Sequence, residues 1–371
     1  MILQRYIGIN VAKGWFLVFL VLGAVFGLIG FTQELDHTEL NYNAMEVAKY
    51  TLLILPNQLV SLAPVIALLG SIVALANLDR YNELTIISCT GFPPRKLFAA
   101  LALPTVLLMA GLWVCMEYIT PQLQQSAEQE RKLLRDGNQG WIPGGGVWST
   151  DGRRYIHLGR MTEDNVPGNI SLFEFDDSRQ LVRAVWAQTA EVTKDRHWLF
   201  QKVREKALVN GEFRTKGYKE LEIANLWSSD ELPTLTLKSD SMNLSVLYSY
   251  SQYLASNGQP TDKYLNAFWQ RLLMPLTVFA MVLLATSISA GATAGRDRSF
   301  GIKIGIGAVL GILFYLGTQI IFSLGQLLQW NIQLVALLPT LVILASALLL
   351  LRRMTDAALH ARAQGDATRC D

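Results

Sequence analysis

The sequence predicts a membrane α-helical fold of six transmembrane helices, with an all-β domain resembling a jelly roll inserted between the third and fourth helices. Composition gives the first indication: 51% of the 371 residues are hydrophobic and only 17% are charged, less charge than a soluble chain of this length usually carries. Apolar runs of about twenty residues, enough to cross a bilayer, lie towards both ends. Residues 119–262 between them have ordinary soluble composition.

Six apolar runs are expected to be helical, because backbone groups in hydrocarbon must find their partners within the same segment. The few polar side chains inside these runs more often face other helices than carry chemistry. The runs are Trp15–Phe31, Leu52–Leu78, Leu97–Tyr118, Phe268–Ala290, Gly305–Leu328 and Ile332–Leu351.

Basic residues in the short connections predict the orientation. They lie near the N-terminus, in residues 79–96 and 291–303, and in the C-terminal tail, which all fall on one side of the membrane if there are six spans. Both termini are therefore expected in the cytoplasm and residues 119–262 on the opposite, extracytoplasmic side of the membrane. The first run is too long for a signal-peptide core and lacks a small-residue cleavage pattern, so it is expected to be retained. The three cysteines then lie on the cytoplasmic side or in the membrane, and no disulfide framework is implied.

The inserted segment is expected to continue the third helix to Asp136-Gly137 and then to form strands at the spacing of an all-β sandwich or jelly roll. A helix ending at Asn257-Gly258 leads back to the membrane. The chain thus divides into residues 1–118, 119–262 and 263–371. Apolar alternation along the strands fits either a closed core or an open lipid-binding groove. The expected strands are Gly146–Ser149, Tyr155–Arg160, Ile170–Phe175, Leu181–Val192, Trp198–Val209 and Tyr218–Ile223.

Motifs for catalysis and cofactors are absent from the sequence. It contains no GxxxxGK[ST] loop for nucleotide phosphates, no HExxH and no CxxC, and its four histidines are scattered. We therefore expect no catalytic residues, no metal and no cofactor. The basic residues are distributed according to membrane topology and are not clustered on one face of the protein, so nucleic acid is not an expected partner.

The stretch DRYNELTIISCTGFPPRK, residues 79–96, separates the second and third runs and predicts a short helix over about 82–91. Asn82 can cap its start, Glu83 suits the first turn, and Leu84 and Ile87 share one face. Gly91 and two prolines end it. A two-turn helix is not stable alone in water and needs a surface to pack on. That surface is either the chain's own helices and the headgroups, or a groove on a separate cytoplasmic ATPase.

The same stretch carries a resemblance to a known family. ELTIISCTG, after LAPVIALLGSIVALANLDRYN, resembles the signature of the lipopolysaccharide-export permeases, the LptF/LptG (YjgP/YjgQ) family. QRYIG is similar to the N-terminus of that family. Later parts of the family are resembled, in the same order, by EYITPQ, VWSTDGRRYIHL, YLNAFWQRLLMPL and GIKIGIGAVLGILFYLGTQ. The RYIG start and LSVLYSYSQYLASNGQ favour the LptG branch over the LptF branch.

The resemblance implies a half-permease that extracts lipopolysaccharide from the inner membrane. Its implied partners are an LptF-like second permease, an LptB-like ATPase dimer, an LptC-like bitopic protein and an LptA-like periplasmic bridge. Glu83 would pair with an ATPase arginine, Arg131 and Lys132 would meet lipid phosphates, and spans one and five would line the lipid cavity. The implied coupling residues are Arg80, Asn82, Glu83, Leu84 and Ile87; the implied lipid contacts are Phe26, Ile29, Arg131, Lys132, Phe314, Tyr315, Thr318 and Phe322.

Two departures from the family pattern bear on these roles. The family often has lysines near the outer end of span one, where this chain has Glu34 and Asp36. Its FGPLR after span four is replaced by SAGATAGR. Two other functions stay open from sequence: an ABC-type permease for another lipid or a lipoprotein, and a non-transporting membrane scaffold.

Overall fold

The structure, a computed structural model, describes residues 2–36, 42–83, 86, 94–136, 147–150, 153–161, 166–176, 178, 180–192, 197–209, 211–224, 226, 239–256, 259, 261–291 and 300–367. The chain forms two compact units. The helical unit comprises Met1–Thr32, Ile54–Thr120 and Leu265–Asp371, and the β unit comprises Gln33–Leu53 and Pro121–Tyr264.

Six helices in the described part of the chain are long and apolar enough to cross a membrane, which confirms the prediction of six spans. They cover Leu3–Leu35, Ala63–Arg80, Ala99–Arg131, Asp262–Ser289, Phe300–Leu327 and Ile332–Arg353. The helices are α1 (Ile2–Leu35), α2 (Ala44–Ser61), α3 (Ala63–Arg80), α4 (Pro94–Val114), a π-helical turn (Cys115–Ile119), α5 (Thr120–Asp136), α6 (Leu244–Ser256), α7 (Asp262–Gly291), α8 (Phe300–Leu327) and α9 (Ile332–Ala367).

The second apolar run differs from the single helix that was expected, because it is divided at Leu62 into α2 and α3. Pro64 lies at the start of α3, and a proline ring cannot follow a regular helical turn without clashing with it. Backbone hydrogen bonds still cross the break: Leu62 N–H donates to Gln58 O at 3.1 Å, and Ile66 N–H donates to Leu62 O at 2.9 Å. The division is therefore a local irregularity of the helical backbone at Leu62. Of the two helices, α3 is the one that is long and apolar enough to cross a membrane.

Helix α3 is the centre of the helical unit, since α1 and α8 both pack on it. At Gly14 of α1, a Cβ atom would lie 2.3 Å from the carbonyl oxygen of Gly70, so the two backbones are in direct contact. At Gly307 of α8, a Cβ atom would lie 2.7 Å from Ile72 Cδ1. Small residues permit such close approach between helices in a membrane, where burial gives little driving force.

The β unit contains six antiparallel strands in one sheet, in sequential order β1 to β6. They are β1 (Val147–Thr150), β2 (Arg154–Met161), β3 (Pro167–Phe175), β4 (Leu181–Val192), β5 (His197–Val209) and β6 (Glu212–Ala224). The predicted all-β character is confirmed, and each strand overlaps its expected range. At the β5–β6 hairpin, Val209 pairs with Glu212 across a two-residue loop. Gly211 there has φ +83°, a conformation that glycine adopts without steric cost.

One face of this sheet is a closed hydrophobic core. Its side chains, at most 7% exposed, include Ile156, Leu158, Ile170, Leu172, Val185, Ala187, Trp198, Phe200, Val203 and Ile223. Tyr250 and Tyr253 of α6 pack against it. As the sequence predicts, α6 ends before Asn257-Gly258, and Gln259 N–H donates to Leu254 O at 2.9 Å across that end. The sequence left a closed core and an open groove as alternatives, and in this conformation the core is filled.

Candidate functional site

The expected coupling helix, about 82–91, is described at three of its positions: Asn82 lies in a turn, and Glu83 and Ile86 have helical backbone. Leu84 and Ile87 lie outside the described residues, as does the N–H near Thr85 that Asn82 was expected to cap. Asn82 itself has φ 57° and turns the chain directly after α3. Its carbonyl oxygen accepts from Ile86 N–H at 2.9 Å, which is the first hydrogen bond of a helical turn.

Glu83 contacts α1. Its Oε2 accepts a hydrogen bond from the Tyr6 hydroxyl at 2.8 Å, across 77 residues of sequence. The role of Tyr6 was not predicted from the sequence. Tyr6 lies in QRYIG, residues 4–8, which indicated only the family resemblance. The carboxylate expected to meet a partner's cation is thus oriented by a phenol of this chain.

The residues just before Glu83 contact the start of α8. Lys303 Nζ donates to Asp79 Oδ2, and the Lys303 side chain is only 5% exposed. The Arg80 guanidinium lies over the Phe300 ring, 5.8 Å from its centroid. These contacts were not predicted, because Lys303 was interpreted only as one of the basic residues that indicate the orientation.

The exposed apolar surface of the helical unit lies largely on α1 and α8, the two helices that flank α3. On α8 it includes Val309, Ile312, Leu313, Tyr315, Leu316, Ile320 and Leu324, and on α1 it includes Phe16, Leu17, Leu20, Val21, Val25, Leu28 and Ile29. Side chains of this kind suit contact with acyl chains or with another apolar helix. Most of them were not among the expected lipid contacts, because helices that are apolar all round give no periodicity from which a face can be chosen.

The expected lipid contacts of spans one and five divide into two groups. Ile29 and Tyr315 are each 44% exposed and lie on the open apolar surface. Phe26 and Phe314 are half-buried against α2 and α3 neighbours, and the Thr318 hydroxyl donates to the Phe314 carbonyl at 2.8 Å. Phe322 is only 7% exposed and packs with Val335 and Ala336 of α9.

Arg131 does not present a free cation within this chain. Its Nε donates to Glu34 Oε1 at 2.5 Å, and its guanidinium lies 5.1 Å from the centroid of the Tyr50 ring. The Tyr42 hydroxyl also donates to Glu34 Oε1, at 3.4 Å. Burial, and then the Glu34 charge, raise the pKa of Tyr42, so its hydroxyl stays a donor at neutral pH. The side chain of Lys132 lies outside the described residues.

Beside this cluster, Lys49 and Glu130 form a second ion pair, with Nζ and Oε1 2.5 Å apart. Both side chains are about half exposed, so this pair contributes little to stability. Two cations and two carboxylates of the β unit therefore neutralise one another at this position.

The sheet face opposite the closed core is unusually aromatic. Trp148 and Trp186 are exposed there, and a cavity of about 420 Å³ is lined by Phe173, Trp186, Arg204 and Lys206 among others. The Arg204 guanidinium lies over the Trp186 ring at 5.8 Å. Within the described ranges, no group of histidine, cysteine and carboxylate side chains is arranged to hold a metal ion.

These features define a multi-pass membrane protein whose candidate surfaces are the exposed apolar faces of its helices and the segment that follows α3. The chain belongs to the family of the lipopolysaccharide export system permeases LptF/LptG, whose model matches residues 5–353. This is a permease family, not a family of catalytic enzymes. Six apolar helices and membership of this family together make the chain a multi-pass protein of the inner membrane.

Curated relatives carry the similarity along nearly the whole chain. The chain is 26% identical to the lipopolysaccharide export system permease protein LptG of Haemophilus influenzae over 356 residues, which cover 95% of this chain and 99% of the relative. It is 28% identical to the protein of the same name from Escherichia coli strain K12 over 328 residues, covering 86% and 89%. Both relatives are of the LptG type, the branch that the sequence favours.

Proposed function

We propose that this chain is the LptG-type half of an ABC-type permease that exports lipopolysaccharide. It pairs with an LptF-like chain, and an LptB-like ATPase dimer hydrolyses ATP for both. The chain extracts the lipid from the inner membrane and passes it towards an LptC-like protein and an LptA-like periplasmic bridge. The observation that carries this proposal is the family match over residues 5–353, which includes the coupling segment, all six spans and the β unit.

The exposed apolar faces of α1 and α8 support the transport role. Ile29 and Tyr315 are each 44% exposed, and apolar side chains of this kind suit contact with the acyl chains of a lipid cargo or with a partner helix. Together with Tyr315, the neighbours Ile312, Leu316 and Ile320 extend this face over more than two turns of α8. We assign lipid contact to this face. We assign Phe322 to the packing of α8 against α9; it could contact lipid only if a partner chain separated these two helices.

The coupling segment supports the ATPase partnership. Glu83 has helical backbone at the start of the expected short helix, where a carboxylate suits the helix dipole, and its Oε2 accepts from the Tyr6 hydroxyl. We assign Glu83, Arg80, Asn82, Leu84 and Ile87 to the ATPase contact. In this assignment both termini and residues 79–96 lie in the cytoplasm, and the β unit lies in the periplasm.

Co-expression tests the proposal. The chain should copurify with an LptF-like chain and an LptB-like ATPase, and mass spectrometry of the detergent-solubilised complex should find lipopolysaccharide. Purified complex in vesicles should release that lipid to an LptA-like acceptor only with ATP. A different bound lipid or a lipoprotein would contradict lipopolysaccharide as the cargo and favour a permease for that molecule. A complex that contains no ATPase would contradict transport and favour the non-transporting scaffold.

A further inference from the structure

The buried ion pair between Asp79 and Lys303 joins two elements that lie far apart in sequence. Lys303 is in the first turns of α8, and its Nζ donates to Asp79 Oδ2 in the last turn of α3. The Lys303 side chain is 5% exposed and that of Asp79 is 25% exposed. A buried ammonium group is tolerated only while it is paired, because desolvation penalises the charge. The start of α8 therefore cannot leave the end of α3 without stranding this charge.

A second contact holds the same two elements together. Arg80 follows Asp79 directly, and its guanidinium lies 5.8 Å from the centroid of the Phe300 ring at the first residue of α8. Such a cation–π contact adds to the ion pair beside it. Two consecutive residues at the end of α3 thus hold the first turn of α8, immediately before Asn82 turns the chain into the coupling segment.

On its other side, the coupling segment is attached to α1. Tyr6 donates its hydroxyl proton to Glu83 Oε2 at 2.8 Å. The segment itself is therefore bonded to α1 through Glu83 and Tyr6, and the end of α3 from which it leaves is bonded to α8 through Asp79 and Lys303. Both α1 and α8 carry exposed apolar faces, as α4 and α9 also do.

We infer that Lys303 and Tyr6 are positioning residues that transmit displacement of the coupling segment to α8 and α1. The inference rests on the proposed function, in which an ATPase moves this segment. A chain joined only through its backbone would absorb such a movement in the turn at Asn82. The bond from Tyr6 to Glu83, beyond this turn, instead joins the segment to α1, and the pair of Asp79 and Lys303, before the turn, joins the end of α3 to α8. Packed and bonded elements of this kind can carry energetic coupling between distant sites.

The transmission role predicts an uncoupled phenotype rather than an inactive one. In Lys303→Met the packing volume is retained and the ion pair is lost. The assembled complex should bind its ATPase and hydrolyse ATP within about twofold of wild type. Lipopolysaccharide released per ATP should fall about tenfold, within the range typical of coupling between two sites. The exchange variant Asp79→Lys with Lys303→Asp restores an opposite-charge pair and should recover most of this ratio.

Tyr6→Phe tests the second contact without disturbing a buried group, because Tyr6 is 44% exposed. It should lower the release-to-hydrolysis ratio by about threefold, a change within the range expected from the loss of one ordinary hydrogen bond. This variant keeps the inference testable even if Lys303→Met fails to assemble.

Thr277→Val is the matched control. It removes the buried hydroxyl pair between Thr277 of α7 and Thr340 of α9, whose oxygens lie 2.7 Å apart, in the same helical unit but away from the coupling segment. Its ratio should equal that of wild type. If Tyr6→Phe and Lys303→Met leave the ratio unchanged, or lower hydrolysis and release in equal proportion, the positioning role is wrong. A wild-type complex that neither binds an ATPase nor releases lipopolysaccharide would instead contradict the proposed function itself.

Discussion

Arg131 donates its Nε proton to Glu34 at 2.5 Å, so the cation that the family resemblance assigns to lipid phosphate is neutralised by a carboxylate of the same chain. Both side chains are mostly buried, with 23% and 12% of their surface exposed. The carboxylate lies in the stretch where the family often has lysines. A phosphate that binds Arg131 must therefore displace Glu34 or share the guanidinium with it.

Removing the carboxylate should increase phosphate binding. Glu34→Gln keeps the shape of the side chain and leaves Arg131 free to attract an anion. We expect more lipopolysaccharide to remain bound to the purified complex, with the gain falling as salt is raised because the added attraction is electrostatic. Glu130→Gln is the matched control, since its pair with Lys49 is exposed. Equal retention in wild type and Glu34→Gln would show that Arg131 does not meet the lipid.

The same pair should be measurable in stability. A double-mutant cycle with Glu34→Gln and Arg131→Gln should give a coupling energy of about 1 to 3 kcal/mol, as expected for directly contacting residues. Exposed pairs give less than about 1 kcal/mol. Thermal unfolding of the four purified proteins, followed by tryptophan fluorescence, provides the measurement. A coupling energy near zero would place this contact among the exposed pairs.

Glu83 should control attachment of the ATPase. Removing one partner of a partly buried charge pair costs about 2 to 5 kcal/mol, mostly by stranding the other charge. Glu83→Ala should therefore weaken ATPase pull-down or uncouple hydrolysis from release. Glu83→Arg should be worse, because it places like charges together, and Glu83→Asp should be intermediate. Normal pull-down and release for Glu83→Arg would leave this segment without a docking role.

The exposed and buried aromatic residues of α8 should respond differently to the same substitution. Tyr315→Asp places a carboxylate on the open apolar face and should reduce lipid crosslinking and export while the complex still assembles. Phe322→Asp places it among Val335 and Ala336 and should prevent assembly. A carboxylate at the centre of a membrane helix costs about 3 kcal/mol on insertion scales. Undiminished crosslinking of lipopolysaccharide to assembled Tyr315→Asp would remove this face from the lipid path.

Backbone contact between α1 and α3 should make Gly14 intolerant of any side chain. A Cβ atom there would lie 2.3 Å from Gly70 O, so Gly14→Ala must push the helices apart at a cost of about 1 to 3 kcal/mol. Gly317→Ala is the control, because its Cβ would meet no heavy atom within 4 Å. Thermal stability of the two variants in detergent checks this difference. Similar melting temperatures would contradict the close approach of α1 and α3.

Cysteine labelling can test the orientation. In a background without native cysteines, a cysteine at position 178 in the β unit should react with an impermeant reagent added to the periplasm. A cysteine at position 86 should react only after the inner membrane is opened. The expectation follows from the basic residues near the termini and in residues 79–96 and 291–303. The reverse pattern would invert the proposed topology.

The helices and strands were predictable because each carries its own signal. A run of about twenty apolar residues in a bilayer forms a helix, because a helix pairs its backbone groups within the segment. Turn residues between the β-strand runs mark where each strand begins and ends. Leu181–Val192 was located to the residue in this way. The break at Leu62 was missed, although Pro64 marks it, because the run is apolar on both sides.

The contacts of the candidate site were not predictable in this way. Lys303 and Asp79 are separated by 224 residues, and nothing near either one indicates the other. The partners of Glu83 and Arg131 lie 77 and 97 residues away. Which of Tyr315 and Phe322 is buried also depends on where α3 and α9 lie, because α8 is apolar on every side. Pairings of this kind are properties of the folded chain, and local sequence patterns do not contain them.

The filled interior of the β unit limits what that unit can hold. Trp198, Phe200 and their neighbours already occupy the space between the sheet and α6, and Tyr250 and Tyr253 lie against them. An acyl chain could enter this core only if α6 moved aside, so binding there would require a minor, open state. Its apparent dissociation constant is then the intrinsic constant divided by the population of that open state. Whatever holds α6 open would therefore act as a loading signal, raising affinity without touching the lipid.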